Sequence, residues 1–405
     1  MRDYVGYVMP LLSDMIPFGD FWADGKSLQK IEDKEIPAWL EKCPKENAKQ
    51  ITYYRNTGGL RRRLVALYKA ALNLARLHTN GLVYGDISPN NIFISNDLNY
   101  SDVWLIDADN LRFESESGIG VYTPGYGAPE LVQRKSSGTT RADCHAFAVL
   151  AFGMLSMVHP FVGKKVDGED SDWADTEPNN EFGDIQEQAY AGLLPYIDDL
   201  NDDSNSNGNG FPRALVLTDG LKRICQRTFG DARTEFWKRP TMLQWAEVLA
   251  EAVDQVVQCS ECQMSWYYDV QDDTCPYCGQ PKPSMLILDV FRQQDTLIKI
   301  KTFANEIKNE IKEKIEIPLH IFTSFTVSNS SENGLIVQNN TDHITLQPTG
   351  KVNVSFAVGE NNGGQFTQLK HNTVLPRKMF AQDVWMRTDD TDVLKLIRCT
   401  ITEVN

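Results

Sequence analysis

The 405-residue sequence has no apolar run long enough to cross a bilayer. The longest, Ala146 to Val158, covers 13 residues and is interrupted by Gly153 and Ser156, against the ~20 that a spanning helix needs. It reads as a buried helix. The short apolar patch Val5 to Leu12 is preceded by Asp3 and followed by no small-residue cleavage site, so no secretory signal is evident. Both absences point to the cytoplasm and away from the membrane. Basic residues are also scarce, 40 Lys and Arg against 55 Asp and Glu for a net charge of −15. An acidic surface repels nucleic acid and anionic lipid, so neither is an expected partner. The imbalance is concentrated: residues 161 to 210 hold 13 acids against only Lys164 and Lys165. Of eight cysteines, Cys43, Cys144, Cys225 and Cys399 are scattered, which excludes a disulfide framework. Cys259, Cys262, Cys275 and Cys278 form two close pairs, a pattern of metal binding.

What remains is a chain of ordinary composition, 41% apolar and 23% charged, with length for two or three domains. Its centre is Leu77 to Ser95, LHTNGLVYGDISPNNIFIS. Upstream, Leu60, Leu64, Leu67, Ala71, Leu74 and Leu77 recur at spacings of three and four, one face of a helix that stops at Asn80-Gly81. His78 in its last turn reads as a satisfied, partly buried residue without chemistry. A strand Leu82-Val83, a polar loop carrying Asp86, and a strand Ile92-Phe93-Ile94 follow. The loop presents a carboxylate and, five residues on, the Asn91 carboxamide, which suits one group to accept a hydroxyl proton and the other to ligate a metal. Taken alone, the same residues also make a helix cap and a hairpin.

Order along the chain carries the argument further. Val103 to Ile106 is a strand ending in Asp107. Next come Thr123-Pro124-Gly125-Tyr126-Gly127-Ala128-Pro129-Glu130, then Asp143 opening a long apolar helix, His159-Pro160-Phe161 and Arg239-Pro240. That succession resembles the C-terminal lobe of a eukaryotic-type Ser/Thr protein kinase, with Tyr84-Gly85-Asp86 and Asn91 matching the catalytic loop, Asp107 the metal-binding aspartate and Ala128-Pro129-Glu130 the end of the activation segment. The resemblance implies transfer of the ATP γ-phosphate to Ser or Thr of a protein substrate. Asp86 would orient and deprotonate the hydroxyl, and Asn91 and Asp107 would hold Mg²⁺. Thr123 would face the substrate and bond Asp86. Glu130 and Arg239 would form a buried ion pair, and Asp143 would accept backbone N–H groups from the catalytic loop. Residues 1 to 12 look like the last strand and hinge of the N-terminal lobe, with Met9 near adenine. No G-x-G-x-x-G loop or strand lysine precedes them, so the expectation is a domain largely without its N-terminal lobe.

Three departures qualify the match. Gly85 replaces the arginine that would clamp a phosphorylated activation loop. Ser88 replaces a lysine near the transferred phosphate, which costs electrostatic stabilisation. Asp107-Ala108-Asp109 stands for Asp-Phe-Gly, leaving an apolar slot unfilled, and Asp109 reads as a turn residue.

Beyond the centre, the acidic, Gly- and Asn-rich stretch of about 163–211 reads as a solvated insertion rather than a Ca²⁺ loop, because its spacing is irregular. Residues 185 to 198 read as ordered within it. Helical patterns run from Leu215 to Thr228 and from Thr241 to Val257. Cys259-Ser260-Glu261-Cys262, twelve residues, then Cys275-Pro276-Tyr277-Cys278-Gly279 is a zinc ribbon pattern, with four thiolates fitting tetrahedral Zn²⁺ and leaving no open position for catalysis. Iron is the chemical rival. Its acids, Glu261, Asp269, Asp272 and Asp273, favour a folding clip or protein contact over nucleic acid.

From Pro281 the period changes to two. Strands are expected at His320 to Val327, Gly334 to Val337, His343 to Leu346, Val352 to Val358, Val384 to Arg387 and Val393 to Thr402, with a charged helix at Ala304 to Ile315. The Gly359-to-Gly364 run lacks the lysine and helix of a phosphate loop. The expected architecture is multidomain: a mainly α kinase-like C-lobe at 1–257, a four-cysteine zinc ribbon at 258–281, and an all-β module at 282–405, a small sandwich. Within the family, the chain looks most like bacterial kinase-like proteins with a C-terminal zinc ribbon. Some are encoded beside a phosphatase and a von Willebrand A protein, which implies those two as partners. A second class stands beside the enzyme: a non-catalytic pseudokinase scaffold. It is favoured by Gly85, Ser88, Ala108 and the missing lobe, and opposed by the retained Asp86, Asn91 and Asp107.

Overall fold

A computed structural model describes residues 13–23, 25–116, 120–167, 184–293, 296–308, 313–359, 365–388 and 395–402. The expected hinge with Met9 and the Gly359-to-Gly364 run from residue 360 on lie outside them. A short strand β1 (Met15–Pro17) and helices α1 (Gly25–Gln29) and α2 (Lys45–Asn56) lead into α3 (Gly59–Thr79). Leucine and alanine, strong helix formers, dominate α3. Leu60, Leu64, Leu67 and Leu74 are fully buried along one stripe, each contributing roughly 1.5–3 kcal/mol. Arg76 and His78 sit in its last turn, where cations complement the helix dipole. The helix stops at Asn80, and Gly81 takes φ +73°.

Five short strands frame the loops that follow: β1 pairs with β3 (Ile92–Ser95), β3 with β4 (Val103–Leu105), and β2 (Leu82–Val83) with β5 (Arg112–Phe113). The strands flanking Asp86 therefore belong to different sheets and form no hairpin with each other. After α4 (Pro129–Val132) comes α5 (Thr140–Ser156), buried from Ala142 to its end, at the centre of the lobe. Helices α6 (Lys164–Asp167), α7 (Ile185–Tyr190), α8 (Arg213–Val216), α9 (Asp219–Cys225) and α10 (Met242–Val253) complete it. The expected helix from Leu215 to Thr228 is thus broken at Leu217-Thr218, where Thr218 caps α9, and it continues past Cys225 as one π turn. The pattern through Val257 ends at Val253, because Val256–Gln258 turns out as strand β6.

The acidic stretch is not simply solvated. Asn205 is fully buried; its amide donates to Phe161 O and Pro195 O at 3.1 and 2.9 Å, and its Oδ1 accepts from Lys165 N. Gly163 makes room for it, since a Cβ there would lie 1.8 Å from Asn205 O. A polar run thus packs where its amides satisfy buried carbonyls, a pairing that composition does not disclose.

The four-cysteine segment contains a hairpin of β6 and β7 (Ser265–Tyr267), followed by the second cysteine pair. Cys259, Cys262, Cys275, Met264 and Trp266 belong to the same buried core as α3 and α5. The remaining chain is a two-layer sandwich. One sheet runs β14 (Thr367–Gln368), β13 (Val354–Val358), β16 (Val384–Thr388), β17 (Lys395–Thr402), β8 (Met285–Gln293), β9 (Leu297–Glu306); the other runs β10 (Lys314–Pro318), β11 (Asn333–Asn339), β12 (His343–Pro348), β15 (Thr373–Pro376). Strand β8 joins the two cores: Leu286, Leu288 and Val290 face the sandwich, Met285 and Ile287 the lobe. Two expectations fail here. The helix expected at Ala304 to Ile315 is absent from both described ends, where residues 304–306 close β9 and residues 314–315 open β10; residues 309–312 lie outside the described residues. His320 to Val327 begins as a helical turn, α11 (Leu319–Phe322), in which buried His320 meets Asp254 of the lobe at 2.7 Å. No helix among the described residues is long and apolar enough to cross a membrane.

Candidate active site

The loop between β2 and β3 is hung from one carboxylate. Asp143, in the first turn of α5 and nearly fully buried, accepts Tyr84 N at 2.8 Å and Gly85 N at 3.0 Å, and His78 Nε2 lies 3.0 Å from the same group. The glycine at 85 has a backbone reason: φ is +89°, and a Cβ would stand 3.1 Å from Asn110 O. A side chain there would be strained.

Asp86 follows, partly exposed, with both oxygens engaged. Thr123 Oγ1 donates to Oδ1 at 2.7 Å, and Asn91 Nδ2 donates to Oδ2 at 3.1 Å and to the Asp86 carbonyl at 2.9 Å. With its amide nitrogen committed, Asn91 has its carbonyl oxygen left for a cation. Asp107 is exposed just beyond β4 at φ +56°, and Ala108–Asn110, including Asp109, form the 3-10 turn after it. Ile106 N donates to Asn91 O at 3.0 Å, which brings the Asp107 strand beside the Asp86 loop. The Tyr84 hydroxyl donates to the carbonyl of Ile106 and lies 3.3 Å from that of Asn91. Burial, then the charges of Asp107, Asp86 and Asp143, push the Tyr84 phenol far up, so it stays a donor. Sequence reasoning misses that tie; its only signal is a tyrosine at the start of the loop motif. Ser88 is buried. Ala108 lines a groove of about 860 Å³ with Tyr68, Leu72, Trp104 and Leu111.

The segment after Thr123 rests on a second unforeseen contact. His159 Nε2 bonds Gly125 O at 2.9 Å while Phe161 N donates to Nδ1 at 3.2 Å, which fixes a neutral ring protonated at Nε2. Burial lowers the His159 pKa to about 4. In the unfolded chain the ring titrates near its ordinary ~6.5, so it binds a proton there first. The stabilisation is whole above pH ~6.5 and is lost as pH falls toward 4. With the ring only partly shielded, the amount is on the order of 1–2 kcal/mol. Thermal melts from pH 7 to 4 are expected to fall less steeply for His159→Gln than for the parent; parallel curves would refute the assignment.

Glu130 and Arg239 meet as a two-pronged ion pair at 2.6 and 2.7 Å, both buried. Away from these loops, the sulfurs of Cys259, Cys262, Cys275 and Cys278 converge within 4.8 Å of one another, with Cys259–Cys278 and Cys262–Cys275 each at 3.7 Å. Four thiolates ~2.3 Å from one ion would stand about 3.8 Å apart, so the donor set fits tetrahedral zinc. Gly279, at φ +73°, turns the second knuckle.

Residues 30–191 match the protein kinase domain. Among curated proteins the chain is similar to Serine/threonine-protein kinase pkn2 of Myxococcus xanthus, 32% identical over 110 residues, covering 25% of this chain and 13% of that protein. It is also similar to human Calcium/calmodulin-dependent protein kinase type 1B, 28% identical over 154 residues, covering 37% and 40%. Serine/threonine-protein kinase PknL of Mycobacterium tuberculosis is 33% identical over 103 residues, covering 25% and 26%. The chain therefore spans less than half of the length of these relatives.

Proposed function

We propose that this chain is the acceptor-side and metal-binding part of a Ser/Thr protein kinase that transfers the γ-phosphate of ATP to a protein hydroxyl in the cytoplasm. The observation that carries the reading is the Thr123–Asp86–Asn91 chain of hydrogen bonds. It holds Asp86 by both oxygens, with Oδ1 turned to the segment on which an acceptor would lie. Asp86 orients the acceptor hydroxyl and takes its proton. Thr123, itself a hydroxyl donor to Oδ1, keeps the carboxylate aimed. Asn91 and Asp107 are the residues that would hold Mg²⁺, which supplies neutralisation of the phosphate charge. The glycine-rich loop and strand lysine that grip the nucleotide are not in these 405 residues, so the reading requires them from another polypeptide segment. Labelled γ-phosphate appearing on Ser or Thr of an acceptor protein, and lost in Asp86→Asn, is the test.

A scaffold reading has one observation of its own: Ser88 is buried and offers no cation where the family's lysine stands. Recovery of a full-length product that binds partners but transfers nothing would favour it. On the resemblance alone we also propose a phosphatase and a von Willebrand A protein as partners.

We further propose one Zn²⁺ per chain at Cys259, Cys262, Cys275 and Cys278. Since structural zinc is worth on the order of 10 kcal/mol in small modules, a strong chelator is expected to release one equivalent and lower the melting temperature. Purified protein with no metal and four freely reactive thiols would sink the assignment.

A further inference from the structure

Helix α3 begins without a cap of its own. Its N-cap is Gly58, which has no side chain to accept an N–H, and Gly58 and Gly59 both take positive φ, +95° and +64°, to turn the chain sharply out of α2. The first-turn donors of a helix need partners. One comes from 204 residues away: Ser265 Oγ accepts Arg61 N at 3.1 Å. Ser265 is buried and opens β7, three residues after Cys262. Its position follows from the first cysteine knuckle, where Cys259 N donates to Met264 O at 2.9 Å and Ser265 pairs with Gln258 across the hairpin.

The turn so capped is a junction. Arg63, with no solvent exposure, directs its guanidinium to oxygens of four segments: Gly59 O at 3.1 Å, Tyr54 O at 3.2 Å, Phe21 O at 2.9 Å and Met154 O at 3.1 Å. Fraying of the first turn removes the Gly59 carbonyl from that set and loosens the hold of α3 on α2 and on the end of α5. The other end of α3 delivers the catalytic loop, and the other end of α5 carries Asp143, from which that loop hangs.

We propose that the four-cysteine ribbon supplies the N-terminal cap of α3 through Ser265, so that metal binding at the ribbon positions the helix carrying the catalytic loop. Ser265 is on this account a positioning residue. The proposal rests on the reading of the four cysteines as a metal site, and it makes thiol oxidation or chelation felt at α3.

The experiment follows two signals in the full chain loaded with Co²⁺: the thiolate charge-transfer absorption, which reports the metal site, and hydrogen exchange at the Arg61 amide, which reports the cap. Ser265→Ala is expected to keep the absorption and speed Arg61 exchange about fivefold, the usual effect of a lost cap. Ser265→Thr, which keeps the hydroxyl, restores slow exchange. Chelation, or Cys275→Ser, abolishes the absorption and speeds exchange at Arg61 and through the first turn. Arg61 exchange unchanged in Ser265→Ala overturns the cap, and unchanged exchange after metal loss overturns the coupling. If the parent shows no thiolate band while Ser265→Ala still exposes Arg61, the metal reading fails and takes the coupling with it. Phosphate transfer enters none of these readouts, so their failure is separate from failure of the kinase reading.

Discussion

Arg239→Ala is expected to lower the unfolding free energy by about 3–5 kcal/mol. Arg239 is essentially without solvent contact, and its two terminal nitrogens meet the two oxygens of Glu130, itself only 8% exposed. Taking both charges out of water is expensive, and the paired geometry offsets the cost only while both partners are present. Removal of the guanidinium leaves a buried carboxylate without its partner. Glu130→Ala should cost a similar amount for the mirror reason. Replacement of both by apolar residues, Glu130→Leu with Arg239→Met, should recover much of the loss, because no charge is then stranded. The pair joins α4, directly after the segment that holds Thr123, to a residue shortly before α10, so loosening it should also free that segment. Urea unfolding with the slope held constant measures the difference. A parent-like midpoint for Arg239→Ala would show that the pair does not hold these elements together.

Legibility followed the range of the interactions. The helix ending at Asn80, the loop with Asp86 and Asn91, the strand before Asp107 and the knuckle pairs at Cys259 and Cys275 are local patterns, written within a few residues each. What escapes is either doubly buried or satisfied from a distance. Strand β8 is buried on both faces by two different cores, so Met285 to Val290 shows no alternation to mark it. The lysines and glutamates of Ala304 to Ile315 read as a helix. Instead, Ala304 N donates to Asp254 O and Lys301 pairs with Glu251 at 2.8 Å, contacts that favour a strand packed on α10. Asn205 lies in a run that composition assigns to water, yet it satisfies carbonyls 10 and 44 residues away. Tyr84, His159 and Ser265 act through hydrogen bonds to backbone groups elsewhere in the chain, and a one-dimensional pattern carries no trace of those. Gly85 is the opposite lesson. The resemblance reads it as a lost arginine, whereas the backbone at φ +89° asks for glycine.

The largest effect is expected at Asp86. Phosphoryl transfer is mainly positioning and charge neutralisation, so the acceptor side and the nucleotide side must both be present. The 405-residue chain supplies Asp86, Asn91, Asp107 and Thr123 but no glycine-rich loop or strand lysine. Alone it should bind Mg-ATP weakly and transfer nothing measurable. Joined to a segment that carries the loop and the lysine, it should phosphorylate Ser or Thr of an acceptor protein. In that active form Asp86→Asn keeps size and one accepting oxygen, sets an N–H₂ group against one of the two donors Thr123 Oγ1 and Asn91 Nδ2, and removes the proton acceptor, for a loss of roughly 10²–10⁴ in kcat. Asp107→Asn should cost less than Asp86→Asn and should be partly restored by raised Mg²⁺, because it weakens ligation rather than proton removal. Thr123→Val leaves the carboxylate in place and untethers only one oxygen, so its loss should be smaller, roughly tenfold. The order Asp86→Asn well below Thr123→Val is the signature of a base held by a positioning hydroxyl. Equal, slight losses in both would mean that the geometry around Asp86 is structural, and an inert joined protein with every acceptor tried would leave the scaffold as the better account. Robust transfer by the 405-residue chain alone would show that the nucleotide is gripped by residues other than those the kinase resemblance requires.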